Sequence, residues 1–218
     1  GRTDIAVYRA GTWYLLRSGL GFAAVNFGAA GDLPVPGDFD GDGKAELAVY
    51  RPATGVWYLL NLVNNQFSAV SFGQAGDKAV PADFDADGKI DIAVFRPSNG
   101  TWYLLQSTSG FAAVNFGIAS DTPIAADFDG DGRADQAVYR AGNWYLNQSN
   151  AGFTAVGFGV GTDKLVVGDY DGDGRADISV WRPESGVFYA LLSGSGNQFA
   201  ATAFGQNGDL PLAASFVP

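Results

Sequence analysis

The nine residues Asp38-Phe39-Asp40-Gly41-Asp42-Gly43-Lys44-Ala45-Glu46 recur, with small changes, at three later points in the chain. The later copies begin at Asp83, Asp127 and Asp169. In every copy an acid stands at positions 1, 3, 5 and 9 and a glycine at position 6, and we expect the carbonyl of position 7 to point inward. Crowded carboxylate and carbonyl oxygens suit the large, flexible coordination sphere of Ca²⁺ better than that of Mg²⁺. Each copy therefore predicts a calcium loop.

The predicted metal ligands occupy positions 1, 3, 5, 7 and 9 of each copy, with position 7 contributing its backbone carbonyl. They are Asp38, Asp40, Asp42, Lys44 and Glu46; Asp83, Asp85, Asp87, Lys89 and Asp91; Asp127, Asp129, Asp131, Arg133 and Asp135; and Asp169, Asp171, Asp173, Arg175 and Asp177. A single Asp-Gly cluster would indicate a solvated turn, but four matched sets of acids would repel strongly without a cation. The loop is not an EF-hand, because its twelfth position is Val49 rather than Glu. The sequence predicts about four Ca²⁺ ions.

The net charge of the chain follows from these loops. The formal charge is -10, and the four loops hold four acids each out of 23 Asp and Glu residues in total. Four Ca²⁺ ions would bring the charge to about -2. Acidity concentrated in this way indicates metal sites and argues against a nucleic-acid partner, which needs a basic surface.

The residue inventory excludes several kinds of chemistry and favours an extracellular setting. The chain has no Cys, His or Met, so thiol nucleophiles, His-based triads and sites for soft metals are excluded. No apolar run approaches about 18 residues, which argues against membrane insertion. Calcium loops of moderate affinity fill where calcium is millimolar, so the predicted localisation is extracellular or at a bacterial cell surface. The start at Gly1 indicates a processed product or an excised piece.

Between the loops the chain repeats with a period of 42 to 45 residues. Each repeat contains short apolar runs joined by tight turns and no helical pattern, which predicts a four-stranded antiparallel sheet. In the second repeat the runs cover residues 47–51, 56–61, 67–72 and 79–84. Several runs are apolar on both faces, as expected for sheets sandwiched between neighbours. We predict an all-β, five-bladed β-propeller forming one domain over residues 1–218, with repeats at about 1–42, 43–87, 88–131, 132–173 and 174–218.

The two ends of the chain complement one another. Residues 210–216 match residues 33–39, the first strand of a repeat, and residues 4–9 match the next strand. Pairing the C-terminal strand with the N-terminal blade would close the propeller and remove an exposed edge. Ser215 and Val217 stand where Asp38 and Asp40 stand, so this junction is predicted to lack a metal loop.

These loop acids, together with a Phe-Gly pair in each repeat, resemble the FG-GAP/VCBS repeats of integrin α-subunits and bacterial surface proteins. The Phe-Gly pairs begin at Phe27, Phe72, Phe116, Phe158 and Phe204. The resemblance covers the whole chain and implies a β-propeller with calcium sites on one face and a role in cell adhesion or ligand binding. Fungal lectins with similar repeats bind sugars between blades, so the resemblance also implies a lectin-like role.

Two other repeated features have a structural and a functional interpretation. A Trp-Tyr pair begins at Trp13, Trp57, Trp102 and Trp144, with Phe188-Tyr189 in the fifth repeat. Buried aromatic core is the favoured interpretation and a sugar-stacking platform the alternative. An Arg ends the second strand of every repeat and an Asp precedes the first strand, so Arg-Asp pairing between neighbouring blades is favoured over a charged ligand-binding ring.

The predicted function is a secreted or surface binding module, stabilised by calcium, for a carbohydrate or protein ligand. The alternative is a structural subunit that self-assembles into an extracellular fibre or layer. A glycosidase ranks third, because Glu184 is an acid outside the repeated positions and has no partner for an acid/base pair. The chain is therefore predicted not to be an enzyme. We expect a partner to engage the end of the sheets away from the calcium loops, where turns such as those containing Ser98, Asn99 and Glu184 vary in sequence and length.

Overall fold

A computed structural model describes residues 4–211 of the chain. This part contains nineteen β-strands and one 3₁₀ turn, Ser193–Ser195, and no α-helix. In chain order the strands are β1 (Ile5–Arg9), β2 (Thr12–Arg17), β3 (Gly21–Asn26), β4 (Leu33–Pro34), β5 (Leu47–Arg51), β6 (Val56–Leu60), β7 (Phe67–Ser71), β8 (Lys78–Ala79), β9 (Ile92–Arg96), β10 (Thr101–Gln106), β11 (Gly110–Asn115), β12 (Thr122–Ala126), β13 (Asp135–Arg140), β14 (Asn143–Gln148), β15 (Gly152–Gly157), β16 (Lys164–Leu165), β17 (Ile178–Arg182), β18 (Val187–Leu192) and β19 (Gln198–Ala203).

The strands form five antiparallel sheets in which each strand pairs with its neighbours in sequence. Sheet 1 holds β1 to β3, sheet 2 holds β4 to β7, sheet 3 holds β8 to β11, sheet 4 holds β12 to β15, and sheet 5 holds β16 to β19. Sheets 1 to 3 belong to one compact unit, which ends at Asn115, and sheets 4 and 5 belong to a second. The prediction of an all-β, five-bladed β-propeller fold is confirmed. The predicted closing strand falls mostly on residues 212–218, which lie outside the described residues.

Three of the four-stranded sheets begin with a strand of only two residues, β4, β8 or β16, whereas β12 of sheet 4 has five. The run at residues 79–84 contributes to β8 only up to Ala79, although pairing resumes at an isolated bridge between Ala82 and Asp91. Between these two points the Val80 N–H donates to the Ala93 carbonyl at 2.9 Å, so hydrogen bonding to the second strand continues on both sides of Pro81. The acidic loop therefore begins close to a bridge that holds its two ends together.

The second strands are buried on both faces. Four consecutive residues of β5, from Leu47 to Tyr50, are buried. Ala48 and Tyr50 pack with Ile92 in a cluster shared with sheet 3. Leu47 and Val49 belong to a cluster on the other side of the strand, shared with sheet 1. Within this unit, neighbouring sheets thus pack face to face through their second strands, as the two-sided apolar runs predicted.

The Trp residues of the Trp-Tyr pairs lie in this core and fix the Phe-Gly pairs. Trp57 is fully buried, and its indole Nε1 donates to the Phe72 carbonyl at 2.9 Å. Gly73 follows at φ +124°, where a Cβ atom would lie 2.9 Å from the Tyr50 hydroxyl oxygen. Only glycine suits this conformation and this close approach. The core interpretation of the Trp-Tyr pairs is confirmed.

Sheet 5 reaches the same arrangement with its aromatic residues exchanged. Trp181 lies on the second strand, directly across from Phe188 on the third. Its indole Nε1 donates to the Phe204 carbonyl at 3.2 Å, as Trp57 does to Phe72 in sheet 2. In sheet 5 the Trp therefore lies on the second strand, whereas in the Trp-Tyr pairs it lies on the strand that follows.

Candidate metal centre

The acidic loops connect the first and second strands of sheets 2 to 5. We call residues 38–46 loop 1, residues 83–91 loop 2, residues 127–135 loop 3 and residues 169–177 loop 4. In each loop the backbone folds around the Asp at position 1. The two carboxylate oxygens of Asp38 accept from the N–H groups of Gly41 at 2.7 Å and Gly43 at 2.8 Å. Such hydrogen bonds fix the tight turn without using the other acids of the loop.

Every loop brings at least three carboxylates together. In each group one oxygen per residue lies within 4.8 Å of all the others. The groups are Asp38, Asp40, Asp42 and Glu46 in loop 1; Asp83, Asp85 and Asp91 in loop 2; Asp127, Asp129 and Asp131 in loop 3; and Asp169, Asp171 and Asp177 in loop 4. These separations allow the oxygens of one group to bind a single cation of the size of Ca²⁺.

The Asp at position 3 is held so that one oxygen stays available. In loop 2, Oδ2 of Asp85 accepts from the N–H groups of Thr108 at 3.1 Å and Ser109 at 2.7 Å. Its Oδ1 atom is buried and has no hydrogen-bond partner. Asp129 of loop 3 repeats the arrangement, with Oδ2 bound by the turn at residues 149–151 and a buried, unpartnered Oδ1. A buried oxygen without a partner is costly, and a bound cation would supply the missing interaction.

The acid at position 9 connects the loop to the rest of its sheet. Asp91 accepts from Phe84 N–H at 2.9 Å and, with its other oxygen, from Ser107 N–H at 2.7 Å. Burial, together with the nearby charges of Asp85 and Asp83, raises the pKa of Asp91 to about 6. Burial also raises the pKa values of Glu46 and Asp135. These raised pKa values show that a buried negative charge is unfavourable here without a positive neighbour.

The acids at position 5 differ between loops. Asp42 and Asp131 belong to the carboxylate groups, whereas Asp87 and Asp173 do not. Asp87 accepts from the hydroxyl groups of Ser107 and Thr108, and Asp173 accepts from the hydroxyl of Ser193 at 3.0 Å. These hydroxyls come from the turn between the third and fourth strands and compete for the carboxylate oxygens. Asp131 accepts the same kind of bond, from Ser149 at 2.7 Å, and still belongs to its group. Sequence spacing alone does not reveal this competition.

The remaining predicted ligands lie in the loops but outside the carboxylate groups. Asp135 of loop 3 uses both oxygens on backbone N–H groups, those of Phe128 and Ser149. The backbone N–H of each position-7 residue donates to the Asp at position 5, at distances of 2.8 to 2.9 Å; these residues are Lys44, Lys89, Arg133 and Arg175. A ligand role for their carbonyls stays a prediction.

Successive loops within a unit are joined by a backbone hydrogen bond. Ile90 N–H of loop 2 donates to the Asp38 carbonyl of loop 1 at 2.7 Å. Ala176 N–H of loop 4 donates to the Asp127 carbonyl of loop 3 at 2.6 Å. The side chain of Lys89 also packs over Gly41, so close that a Cβ atom there would lie 2.9 Å from Lys89 Cε. The position of one loop therefore depends on that of its neighbour.

Buried ion pairs mark the opposite end of sheets 2 to 5. Arg140 makes a bidentate contact with Asp121, at 2.7 Å from Nε and 2.9 Å from the second nitrogen, and its guanidinium stacks on Tyr145. The Asp121 side chain is fully buried. The other pairs are Asp32 with Arg51, Asp77 with Arg96, and Asp163 with Arg182. Each pair fastens the connection that enters a sheet to the second strand of that sheet, so the predicted Arg-Asp pairing is confirmed for these four.

Comparison with known families supports the sequence pattern. The profile of the FG-GAP-like repeat matches residues 38–94 and, in a second copy, residues 83–138. The chain is an FG-GAP-repeat β-propeller protein. The matched FG-GAP segments contain loops 1 to 3, and loop 4 has the same spacing of acids. Among curated proteins, none matches the chain. Within residues 4–211 no helix is long and apolar enough to cross a membrane.

Solved structures share the fold of this FG-GAP protein at very low sequence identity. Virginiamycin B lyase from Staphylococcus aureus is 9% identical with a TM-score of 0.58, over 89% of this chain and 64% of the lyase. A streptogramin B lyase is 8% identical with a TM-score of 0.60, over 91% of this chain and 63% of the lyase. BBS1N, solved in complex with ARL6DN, is 10% identical with a TM-score of 0.57, over 92% of this chain and 64% of BBS1N. The chain thus spans less than two thirds of each, and the likeness concerns the fold alone.

Proposed function

We propose that this chain is a calcium-stabilised, non-enzymatic β-propeller domain, secreted or displayed at a cell surface, that binds a carbohydrate or protein ligand and serves in adhesion. The five repeats would form one domain. The observation that carries the calcium part is the pair of buried, unpartnered oxygens, Oδ1 of Asp85 and Oδ1 of Asp129, each within a group of three carboxylates.

The residues that would hold calcium also anchor the turns around them. In loop 2, Asp85 and Asp91 each use one oxygen on backbone N–H groups of the turn after β10. Without a cation the acids of the loop repel one another, and this repulsion opposes the hydrogen bonds that hold them to the turn. Calcium would neutralise the acids and remove that repulsion. In this proposal the ion is structural. It fixes the loop, the second strand and the neighbouring turn in one geometry.

The proposed ligand surface lies at the other end of the sheets. There the turns after Arg51, Arg96 and Arg182 expose two residues each, among them Ser98 and Glu184. A cleft of about 530 Å³ also opens at this end of sheets 4 and 5. Its lining includes Ser120, Thr122 and Lys164, which offer hydroxyl and ammonium groups suited to a polar ligand. BBS1N, which shares the fold, was solved in complex with another protein, and this precedent supports a binding role.

One residue of this surface has a structural task and is unsuitable as a probe of binding. Asn99 donates from Nδ2 to the Tyr103 hydroxyl at 3.0 Å and accepts from Thr101 N–H at 3.1 Å. Its replacement would loosen the turn whether or not a ligand binds there. The exposed side chains of Ser98 and Glu184 are the better probes.

A glycan array probed with the calcium-loaded protein would identify a carbohydrate ligand. For a glycan found in this way, we expect Ser98→Ala or Glu184→Ala to weaken binding by about tenfold, because each removes one polar contact. Calorimetric titration would measure the affinity, and calcium content and melting temperature should stay unaltered. The control variants are Lys44→Ala and Lys89→Ala, which alter the calcium end. If the two lysine variants lost affinity while Ser98→Ala and Glu184→Ala did not, the ligand would bind at the calcium end of the sheets, and the proposal would be contradicted.

A further inference from the structure

The last strand of every sheet, in chain order, is an edge. These strands are β3, β7, β11, β15 and β19, and each stands last in the strand order of its sheet. Among residues 4–211, none of them pairs with a strand on its outer side. Alternate backbone N–H and C=O groups of each strand therefore point outward, available to a further strand.

These edges lack the usual protection against pairing. None of the five strands contains a charged residue or a proline. The turns that precede them are uncharged too, and the strands paired with them contain a single charge, Arg17 of β2. Natural edge strands are commonly blunted by lysine, proline, a bulge or short length, since an open ladder recruits other chains. Four of these edges are six residues long.

Each edge also presents a phenylalanine to solvent. Their exposed fractions lie between 58% and 69%; these residues are Phe22, Phe67, Phe111, Phe153 and Phe199. Phe111 stacks on Tyr103 and meets the ring of Phe72 edge-on, and the rest of its surface is open. Apolar surface that recurs at the same place on every edge would gain from being covered.

The charge distribution indicates that a second copy of the chain covers the edge. The net charge is -10, with the acids concentrated in the four loops, so two copies approaching through their loops would repel. Two copies that meet through these edges bring no charge against another. β3 and β11 both have the sequence Gly-Phe-Ala-Ala-Val-Asn. Any antiparallel pairing that one of them makes with a copy of itself is therefore also available between β3 and β11. In the two-fold register centred on Ala113, Phe111 would lie beside Asn115 of the partner subunit.

We propose that the chain self-associates by antiparallel pairing of these last-strand edges, with β3 and β11 as the primary contacts. Because one copy carries both strands, association continues beyond a dimer into an open assembly. This proposal is independent of the ligand surface, and it would make the domain a building unit of an extracellular fibre or layer.

The test introduces one lysine into each edge at an exposed alanine, Ala24→Lys in β3 and Ala113→Lys in β11. Sedimentation velocity over a roughly hundredfold concentration range should show association of the unmodified chain, weakened at least about tenfold in the double variant. The control carries the same two charges in exposed turns, Ala53→Lys and Ser98→Lys, and should associate like the unmodified chain. A monomeric unmodified chain, or equal weakening in the control, would overturn the proposal.

Hydrogen exchange gives a second readout that needs no variant. In the unmodified chain at high concentration, the outward amides of β11 should exchange more slowly than in dilute solution, because they become bonded to another strand. The amides of residues 98–100, in the turn after β9, should not change. Equal exchange of β11 at both concentrations would contradict edge pairing even if the lysine variants failed to fold.

Discussion

Removal of calcium with a chelator is expected to lower the melting temperature of this chain by about 20 to 40 °C. A site whose dissociation constant is a hundredfold below the calcium concentration adds about 2.7 kcal/mol, because only the folded chain presents the ligands together. Four such sites contribute about 11 kcal/mol, which is comparable with the whole stability of an ordinary domain. Calorimetry in excess calcium and then in excess chelator measures the change directly.

Single-site variants separate calcium binding from general charge effects. Asp85→Asn and Asp129→Asn keep the size of a side chain whose buried Oδ1 atom has no partner, and each should remove part of the calcium-dependent shift. Glu184→Gln removes the same charge from an exposed turn outside the loops and should leave the shift intact. A melting temperature within about 2 °C with and without calcium would contradict a structural role for the ion.

Replacement of Arg140 with alanine is expected to lower the free energy of unfolding by about 3 to 5 kcal/mol. The change leaves the fully buried Asp121 carboxylate without its bidentate partner. The hydrogen bond from the Ile118 N–H, at 2.8 Å, remains, but a neutral donor does not replace the positive charge of the guanidinium. Urea unfolding at saturating calcium would measure the effect.

Two further variants serve as controls for the effect of Arg140→Ala on the free energy of unfolding. Arg133→Ala removes the same side chain from an exposed loop position and should cost no more than about 0.5 kcal/mol. Arg140→Lys keeps the charge but loses the fork that contacts both oxygens, so it should fall between the two alanine variants. If Arg140→Ala and Arg133→Ala had equal effects, the buried pair would not stabilise the connection between sheets.

Much of the fold could be predicted because the same local sequence features recur in each repeat. Glycine at position 6 recurs in all four loops, and the two-sided apolar run at residues 47–50 allows only a strand buried on both faces. The Trp-Tyr pair predicted core packing, and the repeated Arg and Asp predicted the buried ion pairs. Prediction was weaker at the first strands, because β8 ends at Ala79 although the apolar run extends to residue 84.

The parts of the site that escaped prediction depend on contacts between distant segments. Asp87 satisfies the same spacing rule as Asp42, but hydroxyl groups some twenty residues away compete for its oxygens. Asp135 also lies outside its group, although it accepts the same two kinds of backbone hydrogen bond as Asp91, which belongs to its group. The sequence does show that a phenylalanine recurs in each uncharged outer strand. Their exposure was not predictable, since the same pattern also suits a buried strand.

The calcium count is the most direct test of the central claim that the four acidic loops are metal sites. Elemental analysis of the protein, after free calcium is removed by rapid gel filtration, should give about four ions per chain. Asp129→Asn should lower that count by about one, because it alters one loop only. A count below about three for the unmodified chain, or an unchanged count in the variant, would contradict the assignment of one ion to each loop.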